Sequence, residues 1–393
     1  MLFKTYKRIE FYNIIDCLWL VEVLWIAQTW MFNDYPNKSY LIFRSFTQEI
    51  AYMMTYWIAR NSSTTYLQKI IINARKPLTI GILVGLYCFF FNPRWYVDAV
   101  ERTLEVNLAK GAEIKTGSSI LEQLRFRSFY NGAYPIAYLC CMSLIYEFFP
   151  LLNHKRGSRI NRSYINLYII IMVLAIILCM MRAPIMCCIT GFIIAFVYSL
   201  KFYDAYDSLK PLSVLIGLII LISLILLPKM DSDMLNFIMA KFVIVSNNSS
   251  EFIKERFWLQ AHSFSFCGEG FGRFNRVAEY MFNMPSIPDG EYMKMVAEQG
   301  FVGVSIILSI LVLCLYKAAK YFKYLYFEFC VVVMLAICMI GADPLSIYDK
   351  HCFLFWLALG QISKFSSINK YNYMEKGFAK ISIAYMFLNE RKK

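Results

Sequence analysis

The fold class this sequence predicts is an all-α polytopic membrane protein, with about ten transmembrane helices and one large outer loop carrying short helices. Three observations predict it. The chain of 393 residues is 59% hydrophobic and only 17% charged, with a mean hydropathy of +0.49, whereas a soluble domain is about a quarter charged. Its apolar runs are long and continuous, as helices crossing a bilayer require, and lack the alternation of an outer-membrane barrel. Its cations fall in alternate connections between those runs, which accounts for the net charge of +13 without invoking nucleic acid.

Taken in order, the runs place spans at 11–32, 40–59, 76–92, 129–151, 164–181, 184–200, 211–228, 300–317, 326–342 and 350–364. The first carries Asp16 and Glu22, and the second Arg44 and Glu49. A charge among lipid tails costs a few kcal/mol, so those two helices must turn their charges toward protein, or else lie on the surface. Basic residues gather at Lys4 to Arg8, Arg60 to Lys76, Lys155 to Arg162, Lys201 to Lys210 and Lys317 to Lys323, while the opposite short connections hold one cation each: Lys38, Arg182 and Lys350. The positive-inside rule then puts both termini in the cytoplasm. The basic N-terminus has no small-residue cleavage site after its apolar run, so no signal peptide is expected.

Four regions follow. Residues 1–228 form an N-terminal bundle with an outer loop at 93–128. Residues 229–299 form the large outer loop, and 300–364 the C-terminal spans. Residues 365–393 form a basic tail with interleaved Tyr, Phe and Ile, suited to an anionic inner leaflet. Of the twelve cysteines, only Cys267 falls in a long loop. The rest read as small apolar fillers, with no disulfide framework and no metal spacing.

The stretch from Ser286 to Tyr316 organises the chain. Asp289-Gly290 is a turn pair. A helical face follows at Tyr292, Met295, Val296 and Gln299, and the apolar run starts past Gly300 and Gly303 without a break. Asp289, Glu291 and Glu298 are thereby expected at the membrane surface. Upstream, Gly268-Glu269-Gly270-Phe271-Gly272 forces an irregular backbone open to close approach, flanked by Arg256, His262, Arg273 and Arg276. Arg182 stands between two apolar runs joined by almost nothing. It either snorkels at a turn or faces a polar cavity. Asp231-Ser232-Asp233 resembles a metal-binding pair, but a helix start accounts for it better, and no metal or other cofactor is expected. Trp258, Phe264, Phe266, Phe271 and Phe274 suit either sugar stacking or loop packing.

The ordered set resembles the O-antigen ligase and polymerase superfamily of bacterial inner-membrane proteins over roughly residues 160 to 364. The matching residues are Arg182-Ala183-Pro184 after a span, Arg256-Phe257-Trp258, the Gly268 to Gly272 turn, and the loop exit Asp289-Gly290 followed nine residues later by Gly300-Phe301-Val302-Gly303. In the ligases a His stands where this chain has Asp289, which counts against ligase activity and leaves a polymerase. The resemblance implies transfer of a growing glycan from undecaprenyl diphosphate to the next lipid-linked unit. The departing diphosphate needs guanidinium charge, for which Arg182, Arg256 and Arg273 are the candidates, with Arg276 behind them. The acceptor hydroxyl needs a base: Asp289, then Glu291 and His262. Trp258, Gly270, Gly272 and Tyr292 complete the expected substrate contacts. Taken alone, Asp289 suits a turn or helix cap equally, and His262 a surface loop. The other readings are a ligase joining glycan to lipid A core, a lipid-linked oligosaccharide flippase, and a cell-wall glycosyltransferase of the shape, elongation and division type.

Overall fold

The computed structural model describes residues 13–62, 66–91, 93–95, 133–152, 162–179, 182–200, 217, 265–287, 290–340, 345 and 352–365. Among them the regular structure is helical, with no strand. Three stretches are long and apolar enough to cross a membrane: Ile14–Phe32, Tyr66–Cys88 and Glu291–Lys320. Four shorter apolar helical stretches accompany them at Ile136–Glu147, Leu167–Cys179, Ala183–Ile194 and Tyr324–Cys338. The protein is therefore an integral membrane protein. Expected segments 96–128 and 366–393, and the span at 211–228 apart from Gly217, lie outside the described residues.

Helix α1 (Ile14–Phe32) is capped by the Asn13 side chain, which accepts from the Ile15 N–H at 3.4 Å. The expected second span is a broken run: α2 (Lys38–Ser45), a π-helical turn (Phe46–Ile50), α3 (Ala51–Met53) and α4 (Thr55–Asn61). The π turn carries Glu49 inward, where a regular helix through an apolar stretch would have had no reason to break. Asp16 and Glu22 are likewise fully buried in protein, so these three carboxylates face protein as the sequence requires, while Arg44 is half-buried.

Helix α5 (Tyr66–Phe91) begins ten residues before the expected span. Arg75 and Lys76 end the apolar run in sequence, but Arg75 is neutralised by Glu147 on α6 (Ala133–Leu152), its Nε donating at 2.6 Å. The helix therefore continues through its cations and through Pro77. Helices α7 (Arg162–Cys179) and α8 (Arg182–Leu200) pack on α6, and α8 packs on α11 (Phe322–Cys338). Helix α11 is enclosed: Phe327, Cys330, Val331, Val332, Met334 and Leu335 are fully buried. The outward faces carry bare apolar side chains such as Met31, Ile80, Ile193, Val312 and Tyr316, suited to lipid.

Between α8 and α11 the described residues supply α9 (Arg276–Phe282), a short helix of the large loop, and then α10 (Glu291–Lys320). Helix α10 lies along α1, and α12 (Cys352–Lys364) along α4. Gly360 makes the second pairing tight: a Cβ there would strike the Tyr56 carbonyl and come within 3.1 Å of the Ala59 Cβ. At this end of the bundle Asp16 binds Arg60 (3.2 Å), Ser363 (2.8 Å) and Tyr56, and the Lys317 ammonium donates to the Ser363 carbonyl at 2.7 Å. The described cysteines are free thiols, with Cys17 and Cys267 exposed.

Candidate functional site

The site is built where the glycine loop meets α10. The sequence leads one to expect an unbroken helix from Glu291 into the membrane. The structure corrects this: α10 is interrupted at Gly300, which adopts φ 72° and ψ −177°. An L side chain rarely takes that backbone, and a Cβ would strike the Phe266 carbonyl and reach the Gly268 nitrogen at 2.5 Å. The break frees carbonyls that a continuous helix would consume. The loop and α1 take them up: Glu269 N–H donates to Ala297 (2.8 Å), Gly270 N–H to Glu298 (3.1 Å), and the Trp25 indole to Gln299 (2.8 Å). Val302 N–H in turn donates to Phe266 at 3.5 Å. The loop thus replaces the hydrogen bonds the helix gives up.

The same contact turns four charged side chains inward. The Glu298 carboxylate accepts the Phe274 N–H at 3.0 Å and that of Gly272. Lys294 is 3.2 Å from Glu49 on the π turn and 3.8 Å from Glu291 on its own helix. Asn275 donates to Glu49 at 3.2 Å, and Leu345 N–H to Glu291 at 3.3 Å. All are buried: Glu291 is 2% exposed, Lys294 2% and Glu298 1%. Glu291 and Glu298 accordingly face the interior of the protein, because Lys294 and the loop N–H groups lie there. Tyr35, in the turn after α1, donates to the Phe271 carbonyl at 2.8 Å. Burial and the neighbouring Glu298 charge push its hydroxyl above its ordinary range, against the opposing pull of Arg273, so it remains a donor.

A cavity of about 30 Å³, enough for a water, opens among these groups. Glu22 and Ile26 of α1, Glu49, Met53, Phe271, Trp356 of α12, Leu345 and both sides of the α10 break line it. Both Glu22 carboxylate oxygens, and the Gln299 side-chain oxygen, are buried with no hydrogen-bond partner among the described residues.

The structure brings five of the expected site residues into this region. Gly270 is covered by the Tyr35 ring, and Gly272 by Ser45, whose Oγ would be 2.5 Å from a Cβ; the close approach at both is made by protein. Tyr292 donates to the Ala336 carbonyl at 3.0 Å, tying α10 to α11. Arg273 binds Glu269 at 2.8 Å and stacks over Phe274, half-exposed on the outer side of the loop. Glu291 is the fifth. Arg182 opens α8 and Arg276 opens α9, each described in its backbone alone. Arg256, Trp258, His262 and Asp289 lie outside the described residues. The groups that sequence reasoning left out of the site are Glu22, Glu49, Lys294, Glu298 and Gln299. The signal for the first two is plain in retrospect: an ionisable residue in an apolar run marks a polar interior by default.

No known protein family, curated protein or solved structure matches this chain. Fold and site together define the class: a helical integral membrane protein with a charged, buried cavity beneath a loop seated on a broken helix.

Proposed function

We propose that this protein polymerises undecaprenyl-diphosphate-linked oligosaccharide repeat units into a surface polysaccharide, O-antigen or capsule, at the outer face of a bacterial inner membrane. The observation that carries the reading is the seating of the 265–275 loop on the α10 break, because it joins the two motifs of the superfamily resemblance, the glycine turn and the loop exit, into one place. In this reading about ten spans cross the membrane and both termini are cytoplasmic. That orientation agrees with Arg60, Lys317 and Lys364 lying together at the end of the bundle opposite the loop.

The chemistry asked of the site is modest. The acceptor hydroxyl oxygen bonds to the donor sugar C1 as the bond from C1 to the diphosphate oxygen breaks. Undecaprenyl diphosphate leaves, and the hydroxyl proton passes to a base. Arg182, Arg256 and Arg273, with Arg276, meet the charge that develops on the diphosphate. Asp289 takes the proton, with Glu291 and His262 as the alternatives. Partners are the bilayer, the lipid-linked donor and acceptor, a flippase and a chain-length regulator. Arg182→Ala and Asp289→Ala are each expected to abolish long-chain glycan at unchanged protein level. Wild-type banding in both refutes the reading.

One observation favours a second reading, a lipid-linked oligosaccharide flippase: buried charge lies within the bundle at Glu22, Glu49 and Lys294. The phenotypes separate the two. Loss of a polymerase leaves acceptor capped with a single repeat, loss of a flippase strands lipid-linked units on the inner face, and loss of a ligase leaves polymer on undecaprenyl diphosphate.

A further inference from the structure

Charge is out of balance in the cavity beneath the loop. Glu22, Glu49, Glu291 and Glu298 line it, and among the described residues Lys294 is the cation bound to two of them, Glu49 and Glu291. Four ionised carboxylates against one ammonium leave a surplus of negative charge in a buried space, where each uncompensated ion costs several kcal/mol. Three of the carboxylates are individually answered. Glu49 has Lys294 and Asn275, Glu291 has Lys294 and the Leu345 N–H, and Glu298 has backbone N–H groups of the loop. Glu22 is different. It is fully buried on α1, faces no cation among the described residues, and has two acceptor oxygens without a donor.

The second observation is Gln299. The residue lines the same cavity, and its side-chain oxygen is buried and also lacks a donor. Two residues that line one small cavity therefore hold three buried acceptor atoms to which no described side chain offers a hydrogen. Buried polar atoms are ordinarily paired, and a carboxyl group gains a donor only by taking up a proton. A proton on Glu22 supplies that donor and removes one surplus charge in a single step. The cavity is large enough for a water to carry the bond across to Gln299.

We infer that this cavity is a proton-binding site, and that Glu22 is the carboxyl that carries the proton at neutral pH. The ionisable groups that line the cavity with Glu22 are Glu49 from the π turn and Glu291 and Glu298 from α10; Lys294 is bound to Glu49 and Glu291, and Asn275 to Glu49; α12 contributes the apolar Trp356. The site binds one positive charge, and residues on both sides of the break in α10 line it.

Infrared spectroscopy of the purified full-length protein tests this. At neutral pH the wild type should show the carbonyl stretch of a protonated carboxyl that Glu22→Gln lacks and that Glu279→Gln, at an exposed position, retains. Alkaline pH should convert that band to the ionised form. The melting temperature of the wild type should fall further than that of Glu22→Gln over the same pH rise, since ionisation leaves an unpaired buried charge only in the former. Sodium or potassium at fixed pH should leave the band unchanged. Three results overturn the inference: a band that survives Glu22→Gln, a band that sodium or potassium converts to the ionised form, and collapse of the fold in both Glu22→Gln and Glu22→Met. The last would mean that the carboxylate holds a structural partner. These measurements need no glycan, so they stand or fall separately from the polymerisation assay.

Discussion

Gly300 and Gly81 are both glycines in long helices, and they should respond oppositely to alanine. At Gly300 the backbone has positive φ, and the added Cβ meets main-chain atoms of the loop, which cannot rotate aside. Gly300→Ala is expected to destabilise by about 1–3 kcal/mol, read as a lower melting temperature in detergent, with the loop displaced. At Gly81 nothing lies within 4 Å of the new Cβ and the backbone is an ordinary helix. Gly81→Ala should stabilise by about 0.5–1 kcal/mol. Equal responses at the two positions would show that the break in α10 is not held by the loop.

Helix α10 and the π turn meet through charge. Lys294 is the joint: it answers Glu49 on one element and Glu291 on its own. Removing it leaves buried carboxylates uncompensated, so Lys294→Met should cost about 3–5 kcal/mol. Adding Glu49→Gln to that variant should recover a substantial part, because it removes the stranded charge while keeping the acceptor for Asn275. Thermal unfolding of the single and double variants checks this. A double variant no more stable than Lys294→Met would mean that the lysine acts through packing alone. The π turn belongs to the same arrangement, since it directs Glu49 into the bundle.

For the molecule as a whole, the decisive geometry is its two ends. One gathers Asn13, Arg60, Lys317 and Lys364 around Ser363 and Ser62, and the other carries Tyr35 and the glycine loop. In the proposed orientation the loop end faces outward. Cys267, exposed on that loop, should then react with a membrane-impermeant maleimide added to spheroplasts. Labelling only after permeabilisation would reverse the topology and remove the proposed donor site from the outer face.

The membrane character, the helical class and the inward turn of Asp16, Glu22 and Glu49 were legible in the chain because the bilayer imposes them locally: apolar length makes a span, and a charge in a span must find protein. The importance of the Gly268–Gly272 turn and of Gly300 was legible too, each as an isolated feature. What the amino-acid order did not disclose is that these two features are partners, that α10 breaks where it looked continuous, and that Lys294 and Glu298 turn inward instead of toward the surface. Those outcomes rest on hydrogen bonds and ion pairs between residues tens to hundreds of positions apart. Only the packed chain brings Trp25 to Gln299, Glu49 to Lys294 and Glu269 to Ala297, and only there does the helix find other donors for the carbonyls it leaves open.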